Sequence, residues 1–273
     1  MAIPLEDNFT DIVGKAQRGL GISDSQLAER SGLDVEKIRS MRDGDFDDDV
    51  LERAAPVLKL NPAALRKLAA GKWIPESIGE IEGLAQFNTV YHDMTVNAYL
   101  VWDTSTREAV AFDTGADCGG MLQSIEKKSL KVKLILLTHA HPDHVADLGR
   151  LRQTTGAPVC ISELEAEKTM EPISEGKRFR IGALEIEARL TWGHSPGGMT
   201  YVITGRRPPI AIVGDSLFAG SMGGGNISYA DALRNNRDKI LTLPDDTIVC
   251  PGHGPLTTVG KEKRDNPFFA EHR

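Results

Sequence analysis

The chain has 273 residues, 40% of them hydrophobic and 26% charged, with 32 Lys plus Arg against 39 Asp plus Glu for a formal net charge of −7. At roughly 100–200 residues per domain, this allows one large domain or a medium one with a small companion, and it excludes a mainly disordered chain, a collagen-like chain and a simple coiled coil. The acidic balance excludes nucleic-acid attraction over the whole surface, so any such role needs a local basic patch.

The first residues carry Glu6, Asp7 and Asp11 and no cationic stretch followed by an apolar core, so a signal peptide is not expected. Ser23 and Gln26 have capping-box spacing ahead of Leu27 and Ala28. A short helix to Arg30 follows, and Gly32 interrupts it. Asp34 is placed to cap a second helix through Ile38 and Met41, ending near Gly44. A third is expected over 48–58, and Asn61-Pro62 opens a fourth that runs to Ala70 before Gly71. Residues 1–71 thus read as a small all-α domain whose pair of helices around Gly32 has helix-turn-helix spacing. Residues 72–84, with Trp73, Pro75, Gly79 and Gly83, read as a linker.

From residue 85 to 273 the signals alternate. Strands are expected over 97–101, 109–112, 132–137, 159–161, 199–204, 210–213 and 248–250, with a hairpin at 178–181 and 184–190 around Gly182-Ala183. Helices are expected over 119–128, 145–155 and 229–241, with another capped by Ser162-x-x-Glu165. This is the pattern of a layered α/β domain. No run of about 18 apolar residues occurs, so no membrane-spanning helix is expected. Cys118, Cys160 and Cys250 are odd in number, far apart and without a Cys-x-x-Cys, which suits a reducing, cytoplasmic setting and indicates neither a disulfide framework nor a zinc knuckle.

The strand over 132–137 runs into Thr138-His139-Ala140-His141-Pro142-Asp143-His144, four potential metal ligands within six residues. Pro142 and the alternation argue against a helix at this point. His139 and His141 are therefore expected to point one way while Asp143 and His144 turn toward a neighbouring position. His194, Asp215 and His253 follow, each in a glycine-rich turn beside a strand, where α/β scaffolds place reactive groups. Five of the seven histidines belong to this set; His92 and His272 stand alone and read as structural or surface residues. A lone histidine in a turn is ordinarily a surface or core residue. A tight cluster of imidazoles and carboxylates is costly to desolvate without a cation, so the cluster reads as a metal site.

On these residues the sequence resembles the metallo-β-lactamase-fold superfamily over roughly 85–266, through His139-x-His141-x-Asp143-His144, His194, Asp215 and His253. Within it the chain is most similar to glyoxalase II-like hydrolases, through Asn97-x-Tyr99-Leu100-Val101, Asp113-Thr114-Gly115, Gly193-His194-Ser195-Pro196-Gly197, Gly214-Asp215-Ser216-Leu217-Phe218, the run from Pro251 to Thr258 and the tail Asn266-Pro267-Phe268-Phe269. The resemblance implies an αββα sandwich with the site at one edge of two facing sheets. It implies one divalent metal on His139, His141 and His194 and a second on Asp143, His144 and His253, with Asp215 bridging both. Zinc is the expected ion, and imidazole and carboxylate also suit iron or manganese. The expected chemistry is hydrolysis of a thioester or related acyl compound by a metal-bridging hydroxide, with Asp143 and Asp215 as catalytic residues.

The sequence departs from that group in three places. Val145-Ala146-Asp147 follows His144, where many relatives have a Gly-Gly pair two residues on. Ser221-Met222-Gly223-Gly224-Gly225-Asn226 stands where many carry an Arg-Thr-Asp type of sequence, beside the site. Only 20 residues follow His253, so the helical C-terminal domain with which a full glyoxalase II holds glutathione is not expected. True β-lactamases generally lack an aspartate at the Asp215 position. Persulfide dioxygenases resemble the family too, and would use a single iron on His139, His194 and Asp215.

The N-terminal helices resemble an XRE/Cro-type helix-turn-helix through Gly21-Ile22-Ser23, Leu27-Ala28, Gly32-Leu33, Ile38 and Gly44, with 35–42 as recognition helix and Lys37, Arg39 and Arg42 facing DNA. Residues 1–75, however, hold 11 Lys or Arg against 13 Asp or Glu. Because phosphate contacts dominate such binding, a docking or dimerisation role in a homodimer is favoured over DNA binding, and over a regulator that pairs an operator-binding helix with a sensing metal domain.

Overall fold

The computed structural model describes residues 3–270; His272 lies outside them. Five helices open the chain: α1 (Phe9–Leu20), α2 (Asp24–Ser31), α3 (Val35–Asp43), α4 (Asp48–Val57) and α5 (Pro62–Ala69). Their ends follow from local chemistry. Asn8 with Asp11, and Ser23 with Gln26, form capping boxes that satisfy otherwise orphaned N–H groups. Gly21 and Gly32 close α1 and α2 in the left-handed conformation, at φ 63° and 66°, where a Cβ is strained. Asp34 precedes α3 without a side-chain capping bond, contrary to its expected role. α1 is not among the expected helices, although Asn8, Asp11 and the apolar spacing of Phe9, Ile12, Val13 and Ala16 carry its signal. On α3, Arg42 turns inward to donate to Gln17 Oε1, and Arg39 pairs with Glu36.

The remaining chain builds two six-stranded sheets. The first holds, side by side, β1 (Leu84–Tyr91), β2 (Met94–Trp102), β3 (Glu108–Phe112), β4 (Lys131–Leu136), β5 (Val159–Ser162) and β6 (Glu171–Ile173). Its helices are α6 (Gly119–Lys128), α7 (Pro142–Val145) and α8 (Leu148–Thr155). The second sheet runs from β7 (Arg178–Ile181) through β8 (Leu184–Leu190), β9 (Met199–Thr204), β10 (Ile210–Gly214) and β11 (Ile248–Pro251) to β12 (Thr257–Thr258). α9 (Tyr229–Asn235), continued by a π-helical turn over Asn236–Ile240, precedes β11, and α10 (Val259–Asp265) follows β12.

Three apolar layers hold this together. Between the sheets, Val101, Phe112, Leu136, Tyr201, Ile212 and Cys250 are buried. Outside the first sheet, Leu100, Ala111 and Ile135 pack with Met121 and Leu151 of the helices. Outside the second, Val202, Ala211, Val213 and Val249 share one cluster with Ile12, Leu51, Leu65, Trp73, Ile240 and Phe268. The N-terminal helices therefore complete the outer helical layer of the second sheet. Full burial of each Val, Leu, Ile or Phe contributes roughly 1.5–3 kcal/mol. The arrangement is the expected αββα sandwich with N-terminal helices.

Two local expectations are corrected. Pro142 does not prevent a helix. It sits at the first position of α7, where its missing N–H costs nothing and its fixed φ suits a helix start. Ser162-x-x-Glu165 caps no helix: Ser162 ends β5, and 163–170 form turns. β1, β6, β12 and α10 are not among the expected elements. β1 is half-exposed and rich in Gln, Asn and Thr, so it lacks a clean apolar alternation.

Candidate metal centre

The site lies where strand ends of both sheets meet. β4 leads into the loop with His139 and His141, and α7 carries Asp143 and His144. Asp215 follows β10, and His253 follows β11. Two tyrosines lash these ends across the sandwich. Tyr99 Oη of the first sheet donates to Pro251 O at 2.7 Å, and Tyr201 Oη of the second donates to Leu137 O at 2.7 Å. Asn97 fastens the His253 turn: its N–H donates to Gly252 O, and its side-chain amide donates to Pro251 O and Gly254 O.

All seven residues singled out in the sequence come together. His139 Nε2 lies 2.9 Å from His141 Nδ1, which lies 3.0 Å from His194 Nε2. Nitrogens that share a tetrahedral cation at roughly 2.0–2.1 Å lie roughly 3.3 Å apart, so this triangle is close to a ligand set. Asp143, His144 and His253 form a second group. Asp215 reaches both: Oδ2 is 3.3 Å from His194 Nε2 and 3.4 Å from His253 Nε2, and Oδ1 is 3.3 Å from His144 Nε2. Gly252 has to be glycine here, because a Cβ would stand 2.1 Å from Asp215 Oδ1.

The outer nitrogens of four of the five imidazoles are engaged, which selects the inner donor of each. His139 Nδ1 meets Thr138 Oγ1, His144 Nδ1 meets Asp113 Oδ2, His194 Nδ1 meets Gly224 O and His253 Nδ1 meets Thr95 O. Asp113 holds φ +54° and also accepts from Thr138 N and Oγ1, so one carboxylate orients two donor loops. The Asp113-Thr114-Gly115 motif by itself gives Asp113 no role, and the capping-box spacing of Ser162 and Glu165 points to a helix start rather than to the role Glu165 has here. Glu165 accepts from Ala140 N at 2.6 Å and Gly197 N at 2.7 Å, bridging the His139–His141 loop to the His194 loop. No local pattern points to that bridge.

The charges fit a cation. Burial pushes the pKa of His139 well below its usual value and lowers that of His194, so both present lone pairs at neutral pH. Burial opposes protonation of His144 as well, but Asp215 and Asp113 overcome it and lift its pKa to about 10. Two inner atoms, His144 Nε2 and Asp215 Oδ1, are buried and have no hydrogen-bond partner. Buried polar atoms are almost always satisfied, and a cation between these groups satisfies both. The donor set is the imidazole-and-carboxylate type that suits zinc, iron or manganese.

Replacing Glu165 with alanine is expected to weaken metal affinity about tenfold, as losses of groups that orient ligands commonly do, with glutamine intermediate because it keeps one acceptor. Competition against a chromogenic chelator measures this. Unchanged affinity in the alanine variant would refute the role.

The sequence profile of the Metallo-beta-lactamase superfamily matches residues 93–253, which span every donor named above and leave α1–α5 outside. The chain is 32% identical over 198 residues to a protein of Haemophilus influenzae named hydroxyacylglutathione hydrolase GloC, covering 63% of this chain and 92% of that one. Among solved structures it is similar to BLEG-1, described as a B3 metallo-beta-lactamase, at TM-score 0.62 and 31% identity, covering 69% of this chain and 100% of BLEG-1. It is also similar to TTHA1623, solved in a di-iron-bound form, at TM-score 0.54 and 29% identity, covering 67% of this chain and 100% of that one.

Proposed function

The chain belongs to the metallo-beta-lactamase superfamily, and from that premise we propose that it is a dinuclear metal hydrolase acting on a thioester or related acyl compound. The observation that carries the reading is Asp215. Its carboxylate stands between two groups of donors: Oδ2 lies 3.3 Å from His194 Nε2 of one and 3.4 Å from His253 Nε2 of the other, and Oδ1 lies 3.3 Å from His144 Nε2 without a hydrogen-bond partner. His139, His141 and His194 would hold one divalent cation, and Asp143, His144 and His253 a second. When bound, such cations supply Lewis acidity toward a carbonyl oxygen and lower the pKa of nearby water.

The chain's own groups supply the rest. Burial raises the pKa of Asp143, but the hydrogen bond from His253 and the charge of His144 bring it below its usual value. Asp143 is thus ionised at neutral pH and able to take the proton of an attacking water. It can pass that proton to the leaving group, and a thiolate leaving group needs little such help. Similarity to GloC and to the di-iron form of TTHA1623 supports the thioester substrate and the pair of cations. The buried cysteines and the lack of a membrane-spanning helix among the described residues are compatible with the cytoplasmic setting we propose.

Elemental analysis of protein expressed without added metal, followed by a panel with a hydroxyacylglutathione, simple esters and a β-lactam, tests the reading. The expected result is two metals per chain and thioester hydrolysis lost on chelation. Substantial activity in metal-free protein would overturn it. A single iron per chain with oxygen uptake on glutathione persulfide would replace it with the dioxygenase.

A further inference from the structure

The turn after Asp215 is held from outside the family-matched segment. Asp7, just before α1, accepts from Ser221 Oγ and from Lys15 Nζ. Lys15 Nζ also donates to Met222 O at 2.8 Å. Two residues on, Gly224 O is the partner of His194 Nδ1 at 3.0 Å. The turn has no slack: a Cβ on Gly223 would stand 1.9 Å from Asp215 O and 3.0 Å from His194 Nδ1, and one on Gly225 would stand 2.4 Å from Tyr229 Cα. Lys15 and Asp7 are themselves well covered, with side chains 14% and 7% exposed. The ammonium lies 5.1 Å from the Phe218 ring centre, and that ring packs edge-on against His253.

An ion pair this buried is costly to desolvate and does not by itself argue for stability. Its hydrogen bonds, however, run to one place. The carboxylate takes the Ser221 hydroxyl, and the ammonium takes the carbonyl of the next residue. We propose that Asp7 and Lys15 are positioning residues of the metal centre: the pair fixes the turn over 221–224 and, through the Gly224 carbonyl, the ring of His194. The inference rests on the reading of His194 as a metal ligand. It makes the N-terminal helices part of the catalytic unit. The Gly224 carbonyl selects the His194 tautomer with its lone pair on Nε2, and a turn free to drift loses that selection.

Cobalt titration of the full chain tests this, because its visible absorption reports ligand geometry independently of turnover. Lys15→Met keeps the aliphatic stem and removes the donor, Asp7→Asn removes the charge, and the double variant leaves no lone buried charge. Arg53→Met is the control. Arg53 bonds Ser31 O and Gly32 O within the helices and does not touch the turn. The expected result is a 10- to 100-fold weaker cobalt affinity at one of two positions and an altered spectrum in Lys15→Met and the double variant. Lys15→Arg is expected to recover part of the loss, and Arg53→Met to keep the wild-type spectrum. Wild-type affinity and spectrum in the double variant would overturn the proposal, as would an equal change in Arg53→Met. A wild-type chain that takes up no cobalt would instead refute the metal centre itself.

Discussion

Replacing Asp215 with alanine is expected to lower kcat/KM by at least about 10³-fold, which corresponds to about 4 kcal/mol of lost transition-state stabilisation. The size follows from its position. Two cations held as proposed would repel, and a carboxylate shared between them would offset that repulsion. Alanine also leaves His144 Nε2, His194 Nε2 and His253 Nε2 without the one anion that all three face. The variant is therefore expected to hold fewer metals per chain as well as to turn over slowly. Kinetics on the best substrate of the panel, read beside elemental analysis, check both effects. A variant that retained a full metal complement and more than a tenth of wild-type activity would refute the bridging role.

The largest effect on stability is expected at Glu262. This fully buried carboxylate in α10 accepts from Gly220 N at 3.0 Å and Asn266 Nδ2 at 2.8 Å through one oxygen, and from Thr257 Oγ1 at 2.7 Å through the other. Glu262→Ala leaves the Gly220 and Asn266 donors unsatisfied at roughly 1–3 kcal/mol each, so a loss of about 3 kcal/mol is expected in denaturant unfolding. Glu262→Gln can keep all three contacts, because its amide N–H can donate to the Thr257 hydroxyl. The pH dependence separates the two. Burial pushes the Glu262 pKa up to about 7, only partly offset by its hydrogen bonds. A raised folded-state pKa gives stability that is fully present below the unfolded value, near 4.5, and is lost as pH rises through about 7. Relative to Glu262→Gln, the wild type is therefore expected to lose up to about 3 kcal/mol between those limits. A constant difference across that range would mean that the carboxyl stays ionised in the fold. Because Gly220 follows Asp215 in the same turn-rich stretch, the alanine variant is also expected to loosen the wall of the site.

The candidate donors are legible from residue type and spacing. His139, His141, Asp143 and His144 within six residues, and His194, Asp215 and His253 in glycine-rich turns, have no ordinary structural explanation as a set. Two signals mislead because local rules compete. Pro142 is a helix breaker inside a helix but a helix starter at its first position. Ser162 and Glu165 have capping-box spacing, but the Glu165 carboxylate is taken by Ala140 N and Gly197 N. The capping box of α1 is as clear in the sequence as that of α2.

By itself the sequence determined the layered α/β class, the bounds of most helices and buried strands, and which residues make up the candidate site, because caps, apolar period and clusters of metal-binding residue types are read from residue type and spacing. Only the tertiary structure decided which nitrogen of each imidazole faces inward, that Asp215 stands between the two groups, and that the N-terminal helices lie on the second sheet with Asp7 and Lys15 against the Ser221–Met222 turn. Those outcomes depend on bonds between residues far apart in the chain, such as Thr95 with His253, Asp113 with His144 and Asp7 with Ser221. Such bonds form only when packed layers bring the partners within hydrogen-bond reach, and no local propensity encodes them.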